Sequence, residues 1–271
     1  MDNLLKRLIF GGIFVGVLIF SILYGKLTFI LLFWLIMNLS IYEFNRLIQL
    51  KSLFPYVLGN LLFVFANVSN IEEMPSKTLS DYAGVALFLG FFATFISILF
   101  SKKEEAVELL GKKFLSVVYI ALPYTLIVMI PFINNDYQYI NTTILGVFFL
   151  VWINDSFAYL VGSNFGSYKM LPRISPNKTW EGFLGGMFFT LIGSNLLANY
   201  FTDMSLANWI VFALIVSIFG VLGDLIESMF KRQAGVKDSS NMIPGHGGFL
   251  DRMDSVIFSA PFIFIYLFII S

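Results

Sequence analysis

At 271 residues, 58% hydrophobic and only 13% charged, with mean hydropathy +0.83, the chain carries more apolar side chain than a water-soluble fold of this length can hide. Its formal net charge is zero, so bulk charge gives no reason to expect a nucleic-acid partner. The absence of cysteine excludes disulfides, thiolate metal sites and cysteine nucleophiles.

A membrane-crossing helix needs about 20 mainly apolar residues. Nine stretches qualify, near 7–24, 27–45, 53–70, 83–100, 114–133, 143–163, 182–200, 207–230 and 255–271. The first lacks a small-residue cleavage site and is followed by further spans, so it reads as a retained helix rather than a signal peptide. Backbone groups in lipid must bond internally, and the runs are too long and uniform for barrel strands. The expected fold is therefore an all-α polytopic membrane protein with about nine transmembrane helices. Basic residues orient it: with the N-terminus cytoplasmic and the C-terminus outside, Lys26 and Lys77 are the only ones of the 17 lysines and arginines to fall outside. Loops 164–181 and 231–254 then both face the cytoplasm. A soft division near residue 112 separates N-terminal helices (1–112), expected to anchor the protein with a lipid entrance as an open role, from a C-terminal catalytic region (113–271).

Polar residues concentrate in that second part. Asp155 shares a helical face with Tyr159 in the stretch 143–163. Loop 164–181 carries Lys169, Arg173 and Lys178, and the run Ser175-Pro176-Asn177-Lys178-Thr179 precedes a helix start, where backbone donors are available to phosphate. On 207–230 and just beyond, Asp224, Glu227, Ser228 and Lys231 follow i, i+3, i+4, i+7 spacing and share one face. An acidic residue at mid-bilayer costs roughly 2.5–3.5 kcal/mol, so it usually faces a partner, a cavity or an ion. Pairing within the helix, with Lys231 neutralising Asp224 or Glu227, is an equally good account of these residues taken alone. From Ser228 to Asp254 the chain gathers Lys231, Arg232, Lys237 and Arg252, four glycines, Asp238, Asp251 and Asp254, and the only histidine, His246. Pro244-Gly245-His246-Gly247-Gly248 reads as a backbone cradle for phosphate. Asp251 and Asp254 open the last helix, and carboxylates without sulfur or clustered imidazole suit Mg²⁺ better than zinc. Together these residues imply one phosphate-rich soluble substrate and one lipid.

The run Ser228-x-Phe230-Lys231-Arg232, Lys237-Asp238-x-Ser240, Ile243-Pro244-x-His246-Gly247-Gly248-Phe249-x-Asp251-Arg252-Met253-Asp254 resembles the signature of phosphatidate cytidylyltransferases (CDP-diacylglycerol synthases). Asp155-Ser156-x-Ala158-Tyr159-x2-Gly162 and Ser175-Pro176-Asn177-Lys178-Thr179-Trp180-Glu181-Gly182 are similar to further blocks of that family. The resemblance covers about 150–255 and implies a Mg²⁺-dependent reaction of CTP with phosphatidic acid, giving CDP-diacylglycerol and pyrophosphate. It also implies a nine-helix protein of the cytoplasmic (inner) membrane, a homodimer in many members, with a second cation an open matter. Carried over, Asp224 and Asp251 are the metal ligands, with Asp254 as a further candidate. Asp251, Lys231 and Lys237 are the catalytic candidates. Asp155, Ser175, Asn177, Lys178, Ser228, Arg232, His246, Gly247, Gly248 and Arg252 are the substrate-binding candidates. A CTP-dependent lipid kinase and an ion-coupled transporter are the competing readings.

Overall fold

The computed structural model describes residues 3–71, 89, 106–133 and 138–271. In chain order these form α1 (Asn3–Tyr24), α2 (Lys26–Leu47), α3 (Phe54–Ile71), α4 (Ala106–Ser116), a π-helical turn (Val117–Ala121), α5 (Leu122–Met129) and a 3-10 turn (Ile130–Phe132). Then come α6 (Asn141–Phe165), β1 (Lys169–Leu171), β2 (Ser175–Thr179), α7 (Trp180–Tyr200), α8 (Leu206–Gln233) and α9 (Leu250–Ile270). Among the described residues, six helical stretches are long and apolar enough to cross a membrane, and Leu8–Tyr24 and Phe54–Asn67 are shorter apolar helices. The stretch expected at 83–100 lies outside the described residues. The chain is an all-α, multi-pass membrane protein.

The helices sort their apolar residues by face. On α8, Leu206, Ile210, Leu214, Ile218 and Leu222 recur every fourth position and are exposed, whereas Trp209, Phe212, Ala213 and Val216 are fully buried. Leu184, Phe188, Ile192 and Leu196 make the same exposed stripe on α7. A helix that is apolar outside as well as inside presents that outer stripe to lipid.

Several helix ends run past the apolar stretches expected for them, and two of these extensions matter for chemistry. α9 begins at Leu250 rather than 255, and α8 continues to Gln233. Lys231, Arg232, Asp251, Arg252 and Asp254 are therefore all held on helices. Hydropathy cannot see such charged terminal turns, because it counts apolar residues only.

α6 packs on α7, α7 on α8, and α8 on α9. The α6–α7 contact is close enough to require glycine: a Cβ at Gly182 would lie 2.7 Å from the Ala158 carbonyl oxygen, and one at Gly186 2.9 Å from that of Asn154. Small residues thus bring the Asp155 face of α6 against the start of α7. The division expected near residue 112 falls inside α4. Buried apolar side chains from α1–α3 and from α5–α9 form one continuous cluster.

Trp209, with no solvent exposure, fills the space left by Gly146 on α6, where a Cβ would stand 2.1 Å from the indole ring. Gly146→Ala is expected to destabilise the protein by about 1–3 kcal/mol through overpacking, read as a lower midpoint of thermal unfolding in detergent. An unchanged midpoint would show that the ring moves aside freely.

Candidate active site

The segment 164–181 folds as a hairpin, not an irregular loop. Lys169 lies opposite Thr179 and Leu171 opposite Ser175 in an antiparallel pair. Pro176 is tolerated in β2 because a two-stranded ribbon leaves each strand one open edge where no amide is needed. Thr179 ends the hairpin and caps α7, its hydroxyl accepting from the Gly182 amide at 3.1 Å. The hairpin is tied to the far end of α8 by Arg232, which donates to the Ile174 carbonyl at 3.2 Å and to the Val236 carbonyl at 2.9 Å.

Hairpin and helix ends enclose a cavity of about 620 Å³. α6 contributes Asp155 and Tyr159, the hairpin Lys169, Asn177 and Lys178, and α8 Asp224 and Lys231. Asp238 lines it from the loop, and Asp251, Arg252 and Asp254 from the first turns of α9.

Three ion pairs, made by two lysines, organise this space. Lys178 Nζ is 2.6 Å from Asp224 Oδ2, and Ser228 Oγ donates to the other Asp224 oxygen at 3.2 Å. Lys231 Nζ is 2.6 Å from Asp251 Oδ1 and 3.2 Å from Glu227 Oε1. Lys231 and its two acids are almost wholly buried, whereas the Lys178–Asp224 pair is partly open. The Asp254 carboxyl meets that of Glu227 and accepts from the Ser255 amide at 2.7 Å.

The glycine-rich segment is built differently from the phosphate cradle expected of it. Ile243-Pro244-Gly245-His246 makes a tight turn, with the His246 amide donating to the Ile243 carbonyl at 2.9 Å and Gly245 at φ 79°. Proline second and a left-handed glycine third is the sequence signature of a type II turn. The Gly248 amide donates to Asp251 Oδ2 at 2.7 Å, and Ser239 donates to the same oxygen through its amide at 2.9 Å and its hydroxyl at 2.8 Å. A Cβ at Gly247 would strike this oxygen at 2.6 Å. The segment thus clamps one oxygen of Asp251 and leaves the other, Oδ1, to Lys231.

Of the residues singled out from sequence, Asp155, Asn177, Lys178, Asp224, Lys231, Asp251, Arg252 and Asp254 line one cavity. Ser175, Ser228, Arg232, Lys237, His246, Gly247 and Gly248 do not. Ser228 orients Asp224, Gly248 orients Asp251, and Arg232 joins hairpin to helix. Lys237 is exposed outside the cavity. His246 packs on α1, where a Cβ at Gly11 would be 2.8 Å from its Nε2. Among residues not singled out, Ser239 holds Asp251, and Glu43 on α2 receives hydrogen bonds from the same segment. A buried carboxylate inside a predicted span was the one available signal for Glu43.

Among the described residues no three carboxylate or imidazole groups converge into a ready metal cage. What the cavity offers is two aspartates, each with one oxygen already met by an ammonium at 2.6 Å, and Asp254 alongside. Such a set suits Mg²⁺, which takes one or two carboxylates and completes its shell with water and substrate phosphate.

A family model described as the cytidylyltransferase family matches residues 5–270. The chain is 34% identical to the phosphatidate cytidylyltransferase of Bacillus subtilis (strain 168) over an alignment of 278 positions that covers all of both chains. It is also 34% identical over 252 residues to the phosphatidate cytidylyltransferase of Staphylococcus aureus (strain COL), covering 82% of this chain and 96% of the relative. Identity to the corresponding protein of Staphylococcus haemolyticus (strain JCSC1435) is 49% over 126 residues, 46% of this chain and 48% of the relative.

Proposed function

The chain belongs to the cytidylyltransferase family, and on that premise we propose that it transfers CMP from CTP to phosphatidic acid, releasing pyrophosphate and forming CDP-diacylglycerol. The observation that carries this reading is the pairing of Asp224 with Lys178 and of Asp251 with Lys231, both at 2.6 Å, in one cavity at the ends of lipid-exposed helices. Acids and bases interleaved at that spacing suit a polyphosphate and its cation. The adjoining apolar helices suit a lipid.

The chemistry needs no protein nucleophile. The second pKa of a phosphate monoester lies near 6, so phosphatidate is largely dianionic at neutral pH. One of its oxygens attacks the α-phosphorus of CTP in line; the new P–O bond forms as the bond to the β-phosphate bridging oxygen breaks, and the electron pair leaves with pyrophosphate. The protein must position two anions and offset their repulsion. Asp224 and Asp251 would hold Mg²⁺, with Asp254 beside them, and the ion would supply charge neutralisation across the phosphate oxygens. Lys178, Lys169 and Arg252, all on the cavity wall, meet the phosphates directly. Lys231, buried between Glu227 and Asp251, fixes Asp251 in place. Asp155 and Asn177, two of the exposed polar groups of the wall, are assigned to the nucleoside. The site faces the cytoplasm, in a homodimer of the cytoplasmic membrane, as the distribution of lysine and arginine and the family resemblance favour.

Purified protein in detergent micelles, supplied with radiolabelled CTP, phosphatidic acid and Mg²⁺, is expected to form labelled CDP-diacylglycerol and pyrophosphate. EDTA should stop the reaction and added Mg²⁺ restore it. Absence of product from folded protein, or release of CDP as a lipid kinase would give, overturns the proposal.

A further inference from the structure

Glu43 is a carboxylate near the C-terminal end of the apolar helix α2, with no solvent exposure. Among the described residues its partners are hydroxyls and amides of a segment about 200 residues away. Oε1 accepts from Ser240 Oγ at 2.5 Å and from the Phe249 amide at 3.1 Å. Oε2 accepts from Ser239 Oγ at 3.1 Å and from the Leu250 amide at 2.8 Å. The last two amides belong to the start of α9, where a helix has unsatisfied donors and favours negative charge. Phe249 lacks a capping side chain of its own, so the cap comes from another helix.

The same segment holds Asp251. Ser239 touches both carboxylates, Glu43 at 3.1 Å and Asp251 at 2.8 Å. Gly248 is wedged between them: a Cβ there would lie 2.1 Å from Ser239 Oγ and 2.5 Å from each Glu43 oxygen. We propose that Glu43 is a positioning residue of the reaction, fixing the 239–250 segment and the first turn of α9 so that Asp251 keeps its place on the cavity wall. This rests on the transfer reaction proposed above and assigns a task within it to an N-terminal helix.

Glu43→Gln is the decisive variant, because it keeps shape and removes an acceptor. Each Glu43 oxygen faces one backbone amide, so either orientation of glutamine sets an NH₂ against an N–H. A displacement of about 1 Å at a reacting group lowers rate by about 100-fold. We therefore expect a fall in kcat of about that size, KM for CTP within about threefold of wild type, and faster hydrogen exchange confined to 239–250. Ser240→Ala, which removes one donor to Glu43 and the acceptor of the Met242 amide but leaves the Phe249 and Leu250 amides on Glu43, should lower kcat by a smaller factor with KM unchanged. The proposal is overturned if Glu43→Gln folds and keeps kcat within about threefold, or if activity falls while exchange in 239–250 stays as in wild type. Should Glu43→Gln fail to fold, Ser240→Ala decides: a lower kcat supports positioning, whereas wild-type kcat, or a change confined to KM, overturns it. An inactive wild type with a protected 239–250 segment would count against the transfer reaction instead, so the two failures are distinguishable.

Discussion

Asp251→Asn is expected to reduce CMP transfer by about 1,000-fold while the protein still expresses and purifies as a folded membrane protein. The carboxylate accepts three hydrogen bonds on one oxygen and an ammonium on the other. Wherever asparagine turns its NH₂, it meets a donor. Lys231 loses one of its two buried counter-charges, and removing a partner from such a pair costs about 3–5 kcal/mol. Part of that will appear as a lower thermal midpoint. The part that displaces the reacting geometry appears in rate at about 1.4 kcal/mol per tenfold, in addition to loss of a ligand for Mg²⁺. The radiolabelled CTP assay measures turnover, and near-normal activity would remove Asp251 from the site.

The residues legible in sequence were those whose spacing is local. Asp224, Ser228 and Lys231 share a face because a helix repeats every 3.6 residues, and the structure places Asp224 and Lys231 in one cavity with Ser228 bonded to Asp224. Asp155 was recognisable as an ionisable residue inside a predicted span, and Lys178 by its place in a polar run just before a helix start. Pairing across the fold was not legible. Pairing of Lys231 with Glu227 was within reach of helical spacing, but its closer partner, Asp251, lies 20 positions away on another helix. The glycine run has the composition of a phosphate cradle, but the Gly248 amide points at Asp251 and those of Phe249 and Leu250 at Glu43. Composition reveals that amides are accessible; only the fold decides which acceptor reaches them.

The N-terminal helices contact the 239–250 segment directly. α1 supplies at Gly11 the gap that His246 occupies, and α2 supplies Glu43. Both contacts fall on the 239–250 segment and neither touches the cavity lining. The family pattern read from sequence lies at 150–255, but Glu43 bonds the residues flanking its glycine-rich part, and Gly11 leaves the gap into which His246 packs.

Of the three cavity lysines, Lys231 and Lys178 should differ in how the same substitution affects stability. Lys231 is 10% exposed, facing Asp251 at 5% and Glu227 at 0%. Lys231→Met strands two buried carboxylates, and the expected loss of about 3–5 kcal/mol corresponds to a fall of about 10 °C in thermal midpoint, with turnover lost as Asp251 is released. Lys178 is 24% exposed and its partner Asp224 34%. An ion pair that open contributes at most about 1 kcal/mol, so Lys178→Met should leave the midpoint within about 3 °C. Its activity should nevertheless fall by about 100-fold, the usual effect of removing one group that stabilises developing charge on a reacting phosphate. Parallel thermal unfolding and CTP assays on the two variants separate the roles. Equal destabilisation by both would make Lys178 a structural partner of Asp224, and full activity in Lys178→Met would take it out of the substrate site.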